Sequence, residues 1–224
     1  MRLSRFLVSS SLLAASLLAR NAAADNILLW DGGQSHSGSV NAAAVLTSLG
    51  HTVTVTSTVP ADLSPFDNLW AMDYLNGPDS PAEKAMVATF LNSDRGIYAQ
   101  FEWDCCTNSQ VQWTATLSPL LKAPFLISGS QGVSQNSVAE PAEVFGLTTT
   151  PNALPFLQIN ATANIVTIPE ENVVFRLNGI PVVGAYVDPQ FVSGDGCIVL
   201  SGDIEEVFAA PQASDWIENV QHFL

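Results

Sequence analysis

Beyond residue 25 the chain alternates short apolar runs with longer stretches whose apolar residues recur every three or four positions. The first run, Asn26-Ile27-Leu28-Leu29-Trp30, stops at Asp31-Gly32-Gly33 and reads as a buried strand followed by a flexible turn. Val45, Leu46 and Leu49 then share one face of a helix predicted over 40–49, with Gly50 as its stop. Thr52-Val53-Thr54-Val55-Thr56 is β-branched throughout and predicts the second strand. Strand, helix and strand at this spacing make a parallel βαβ unit.

Phe66-Asp67 leads into a third strand over 68–72, which ends at Asp73. Ser80, Pro81 and Glu83 then spell a capping box with proline at the first helical position. Met86, Val87, Phe90 and Leu91 give that helix its buried stripe, and Arg95-Gly96 closes it. The fourth strand, over 97–101, runs into Glu102, Cys105 and Cys106. A helix is predicted over 109–121, with Val111, Leu117, Leu120 and Leu121 available for packing. Residues 124–170 are rich in Gly, Ser, Pro and Asn and weakly periodic, so loops and short elements are expected there. Asn178-Gly179 between two β-prone runs, 173–177 and 180–183, is a strong hairpin signal. The run 197–201 predicts a last strand ending at Gly202-Asp203. Ser214 is the expected cap of a final helix that packs Trp216, Ile217, Val220, Phe223 and Leu224 on the sheet.

These elements predict one flavodoxin-like α/β domain over 25–224: a mainly parallel sheet, helices on both faces and a β-hairpin insertion. No internal repeat or linker divides it. Ahead of it, Arg2 and Arg5 precede an apolar run over 6–19 that is too short to span a bilayer, and Ala22-Ala23-Ala24 supplies a cleavage site. Residues 1–24 therefore read as a signal peptide, and the mature chain as secreted or periplasmic with no transmembrane segment. Removing Arg2, Arg5 and Arg20, and no acid, takes the formal charge from −14 to −17. That charge argues against nucleic acid and anionic membranes as partners.

The predicted parallel strands end at Asp31, Asp73, Glu102 and Asp203, all toward one edge of the sheet. In open α/β sheets ligands bind at that edge. Four carboxylates there could hold a hard cation or act as acid and base. The plainer reading is that Asp and Gly after strands cap helices and form turns. No metal site and no cofactor is assigned. Cys105 and Cys106 have three readings: free thiols with one nucleophile, a vicinal disulfide, or inert core residues. A nucleophile needs a base. Among His36, His51 and His222, only His36 follows a strand toward this edge. Cys197 opens its strand, six residues before Asp203, roughly 20 Å from the edge at about 3.3 Å per residue. A disulfide needs α-carbons within about 7 Å. Cys197 is thus expected to be an unpaired, buried hydrophobe, leaving Cys105–Cys106 as the one possible intrachain disulfide.

Several stretches resemble the class I glutamine amidotransferase-like superfamily, including its relatives similar to trehalose-utilisation proteins. They are Ile27-Leu28-Leu29-Trp30-Asp31-Gly32, Phe66-Asp67, the Gly96 strand, and Gly196-Cys197-Ile198-Val199-Leu200-Ser201-Gly202-Asp203 followed by Phe208. Catalytic members of that group place a nucleophilic cysteine on an elbow directly after a strand of the Gly96 type. Here Glu102 stands at that position, and the cysteines come three and four residues later. The group's histidine and glutamate, expected after a late strand, have no counterpart, because Gly202-Asp203-Ile204-Glu205-Glu206 contains no histidine.

The expectation is a non-glutaminase domain binding a small ligand or a protein partner at the Glu102 edge, with Asp31, Gly32, Asp73 and Asp203 as ligand-binding residues. The alternatives are a hydrolase using Glu102 with Asp203 and His36 or a cysteine, and a structural surface protein whose edge site is vestigial.

Overall fold

The computed structural model of the protein describes residues 24–34, 36–141, 145–203, 207 and 212–224, with the side chains of 132–141 left aside. Residues 1–23 of the expected signal peptide, Glu205, Glu206 and Phe208 lie outside the described residues. The strands are β1 (Asn26–Trp30), β2 (Thr52–Thr56), β3 (Asn68–Ala71), β4 (Gly96–Gln100), β5 (Leu126–Pro141), β6 (Leu157–Val166), β7 (Val173–Leu177), β8 (Ile180–Val187) and β9 (Cys197–Ser201). The helices are α1 (Ser37–Ser48), α2 (Pro81–Leu91), α3 (Thr107–Leu117) and α4 (Ala213–Phe223). The sheet order is β2-β1-β3-β4-β9-β8-β7-β5-β6.

The first five strands in that order are mutually parallel, in the flavodoxin-like arrangement 2-1-3-4-5. Their side chains are apolar on both faces because helices cover both. Leu28, Trp30, Leu69, Ala71, Ile97, Ala99, Ile198 and Leu200 pack with α2 and α3. Ile27, Leu29, Trp70, Tyr98 and Val199 pack with Leu46 of α1 and with Trp216, Ile217 and Val220 of α4. The chain therefore crosses to one face after β1 and to the other after β3, which makes the gap between those strand ends the topological switch point. No helix among the described residues is long and apolar enough to cross a membrane.

The capping box forms as predicted: Ser80 N–H donates to Glu83 Oε2 at 2.8 Å, and Glu83 N–H to Ser80 Oγ at 3.3 Å. Four expectations need correction. Residues 124–170, expected as loops and short elements, hold two long strands, β5 of 16 residues and β6 of 10, with turns and bends over 145–156. Two register shifts in β5 break the alternation that would have marked it as a strand. The hairpin forms, but its strands β7 and β8 continue the main sheet antiparallel from β9, and β5 and β6 extend it further. Ser214 lies inside α4, whose N-cap position is Gln212. Val111 faces outward, while Trp113 and Leu117 carry the buried side of α3.

Candidate functional site at the C-terminal edge of the sheet

β4 is buried along its whole length and ends in Phe101-Glu102. Glu102 is 3% exposed. Its Oε1 accepts the Trp103 N–H at 2.8 Å, and its carbonyl accepts Gln110 Nε2 of α3 at 2.7 Å. Trp113, one helical turn on, donates its indole N–H to the Gln100 carbonyl at 2.9 Å. The end of β4 is thereby tied to α3 at two points. A 3₁₀ turn over Asp104–Cys106 connects them, closed by Cys106 N–H to the Trp103 carbonyl at 2.9 Å. Glu102 is not among the described non-glycine residues with positive φ, which are Asp94, Phe145, Thr167 and Asn178. The strand thus passes into α3 through a relaxed turn, without the strained elbow that presents a nucleophile.

Cys105 and Cys106 are joined in a disulfide. Cys105 is exposed and Cys106 buried. In this state neither sulfur is the thiolate that a nucleophile requires. Cys197 is free, as expected, but half-buried rather than enclosed. Its sulfur sits 3.8 and 3.7 Å from the Phe223 and Leu224 carbonyls, and desolvation raises the thiol pKa to about 12.

The structure brings Asp31, Gly32, His36 and Asp73 together at the switch point. Asp31 Oδ1 accepts the Gly33 N–H at 2.9 Å. Asp73 Oδ1 accepts the N–H groups of Leu75 and Asn76 at 3.2 and 3.0 Å, and burial pushes its pKa up. Gly32 has φ +61°, and a Cβ there would lie 2.1 Å from Asp73 Oδ2. The Asp73 carboxylate is therefore wedged against the β1 turn. His36 caps α1: its Nδ1 accepts from the Gly38 and Ser39 amides at 3.1 and 3.4 Å. With Nδ1 an acceptor, the neutral ring carries its proton on Nε2, which donates to the Met72 carbonyl at 3.1 Å. Burial lowers the His36 pKa, against smaller opposing effects of the Met72 carbonyl and Asp31. The ring also meets Tyr74 edge-on at 4.9 Å. Both His36 nitrogens are engaged with backbone. His51 Nδ1 accepts the Asp25 N–H at the opposite edge, and His222 is near the end of α4.

Asp203 is fully buried at the end of β9, under β6. Its Oδ2 accepts the Asn160 N–H at 2.6 Å, and its carbonyl accepts Gln100 Nε2 at 3.2 Å. Ala163 N–H donates to the Gly202 carbonyl at 3.0 Å, so β6 lies directly across this strand end. The four acids thus fall into three settings: Asp31 with Asp73 at the switch point, Glu102 at the end of β4, and Asp203 under β6. Among the described residues, no three of His, Cys, Asp and Glu are placed to hold a metal ion. An open pocket of about 320 Å³ between Phe145, Leu147, Thr150, His222 and Phe223 lies by the end of α4, away from this edge.

Sequence reading missed Gln100, Gln110 and Trp113, which hold the Glu102 turn. Gln100 carried a signal, being a polar residue inside an otherwise apolar strand. Its amide is fully buried, and among the described residues Oε1 has no hydrogen-bond partner.

No protein-family model and no curated protein sequence matches the chain. Solved structures do. The cytoplasmic protein STM3548 from Salmonella typhimurium superposes with a TM-score of 0.62 at 11% identity, over 89% of this chain and 98% of that one. A GMP synthase-like protein from Thermoplasma acidophilum gives 0.58 at 12% identity, over 89% and 94%. A ThuA-like protein from Bacteroides uniformis gives 0.55 at 12%, over 90% and 92%. At these identities the likeness is one of fold alone, the α/β fold shared with these GMP synthase subunit-like and ThuA-like proteins.

Proposed function

We propose that this chain is an exported, non-glutaminase domain that binds a small neutral or cationic ligand, or a partner of that character, at the Glu102 end of β4. One observation carries the reading. Where a nucleophile would stand there is a buried glutamate whose carboxylate is turned onto the next backbone amide, followed by an exposed rim of Trp103, Asp104 and Cys105. An indole beside a disulfide offers apolar contact, and Asp104 adds polarity. No lysine or arginine occurs in the loops that follow β1, β3 and β4 toward this edge. Its acids repel anions and favour neutral or cationic groups. Glutaminase chemistry lacks both parts here, since the cysteines are oxidised and His36 is committed to backbone.

The test has two arms. Ammonia release from L-glutamine is measured first, and release above background that vanishes in C105A or C106A sinks the proposal. Thermal-shift screening of neutral sugars, amino acids and polyamines is then run on wild type, W103A and E102Q. Stabilisation by one compound, lost in W103A while the variant stays folded, is the expected result. A hit that survives both substitutions places binding elsewhere and overturns it.

A further inference from the structure

Among the described residues β2 is an edge strand: it pairs with β1 alone. Exposed edges are templates for another strand, and proteins normally blunt them with charge, proline or a bulge. β2 has none of these. From residue 32 to 61 the sequence contains no Asp, Glu, Lys or Arg, although the chain carries −14 overall. Around the edge, Val40 of α1 is 63% exposed, Val55 53% and Leu49 39%. This apolar, uncharged surface lets two copies of so acidic a chain meet without like charges facing.

The strand is also a palindrome, Thr52-Val53-Thr54-Val55-Thr56. Thr52 N–H donates to the Asp25 carbonyl at 2.9 Å, and the Thr56 carbonyl accepts Asp31 N–H at 3.1 Å. Backbone groups alternate in direction along a strand. Thr52, Thr54 and Thr56 therefore turn theirs to β1, and Val53 and Val55 turn theirs outward. An antiparallel two-fold centred on Thr54 sets Val53 opposite Val55 of the second copy as a hydrogen-bonded pair, and the reverse. Each such pair exchanges two N–H···O bonds. On the α1 face valine meets valine. On the other face Thr54 meets its own copy, and Thr52 meets Thr56. These are favourable cross-strand pairs.

We infer that β2 is a self-association edge, through which two copies join by antiparallel β2–β2 pairing into one continuous sheet. The contact is isologous, as a closed two-fold requires. A five-residue strand covers less than the roughly 1,200 Å² of a stable interface, so the exposed side of α1 contributes and the dimer is concentration-dependent. Salt strengthens it, by screening repulsion between the acidic bodies.

Sedimentation velocity over a concentration series tests the pairing. Wild type is expected to rise toward twice the monomer mass. T54K, which sets two ammonium groups face to face on the two-fold, and T54E are each expected to stay monomeric. An equimolar mixture of T54K and T54E is expected to recover the doubled mass. Circular dichroism verifies that both variants are folded. Hydrogen exchange of wild type supplies a readout that needs no variant: the Val53 and Val55 amides slow as concentration rises. A wild type monomeric throughout overturns the proposal, as does a T54K dimer of wild-type affinity, a mixture that stays monomeric, or concentration-independent exchange at both valines.

Discussion

Replacing Gly32 by alanine tests whether the switch point is closed by the protein's own side chains. Two costs arise there. The first is backbone: Gly32 has φ +61°, and an L-residue in that region costs about 1–2 kcal/mol. The second is steric. The new methyl would lie 2.1 Å from Asp73 Oδ2 and 2.3 Å from its Cγ, inside any van der Waals contact. Asp73 cannot simply swing away, because its Oδ1 holds the Leu75 and Asn76 amides. Forcing a group into a filled site costs about 1–3 kcal/mol. G32A is therefore expected to lose about 2–5 kcal/mol in urea denaturation, the sum of those two ranges. Gly33 is the control. Its φ is also positive, at +83°, but its Cβ would meet only Ser57 at an ordinary 3.6 Å, so G33A carries the backbone cost alone. The double variant G32A/D73A isolates the clash: with the carboxylate gone, the second substitution relieves the first, and a coupling of about 1–3 kcal/mol appears. Equal losses in G32A and G33A, or additivity in the cycle, would refute a wedge between Asp73 and the β1 turn.

Three further outcomes follow from the same contacts. His36 has a folded pKa below its unfolded 6.5, so the unfolded state binds its proton first and stability falls as pH drops below 6.5 toward the folded value; H36N, which can still cap α1, is expected to lose that part of the pH slope in thermal melts. Asn219 is fully buried, donates to the Leu147 and Asn152 carbonyls and accepts the Asn152 amide at 2.9 Å, so N219A should cost about 2–4 kcal/mol at roughly 1 kcal/mol per bond, and raise protease sensitivity near residue 150. Non-reducing peptide mapping should find Cys105 and Cys106 bonded within one peptide and Cys197 free, with Cys197 alkylated slowly at neutral pH because its thiol is held up to about 12; a Cys197 cross-link to the 105–106 peptide would contradict the register of β4 with β9.

The parallel core was legible because it obeys local rules. Buried strands are short apolar runs, α2 carries its capping box, and Asn-Gly turns the β7–β8 hairpin. The β5–β6 ribbon was not legible. β5 contains Gly129 at φ +72° and two register shifts, so its pairing is set by β6 and β7 rather than by its own alternation. That omission hid the burial of Asp203, which depends on β6 crossing the end of β9. The cap of α1 was missed for a different reason: a histidine accepting through Nδ1 does the work usually given to Ser or Asp. The same bond explains why His36, though placed at the right edge, is not free to serve a cysteine.

The four acids at the strand ends bear on where activity can reside. Each accepts a nearby backbone N–H: Asp31 from Gly33, Asp73 from Leu75 and Asn76, Glu102 from Trp103, and Asp203 from Asn160. A chain leaving a buried strand exposes amides that the next helix or strand does not yet satisfy, and an unsatisfied buried amide is costly. Acids that look convergent in sequence thus satisfy separate amides: Asp31, Asp73 and Glu102 each in the turn that follows its own strand, and Asp203 in β6. Two of the settings are also closed from outside, the β1–β3 gap by Asp73 and His36 and the β9 end by β6. The β4 end differs, because its carboxylate is internal while its next three residues face solvent. Among the described residues at the β4 end, the Trp103–Cys105 rim is the part that faces outward, with Glu102 and the two bonds from α3 fixing that rim in place, and the recognition proposed for this edge acts through it.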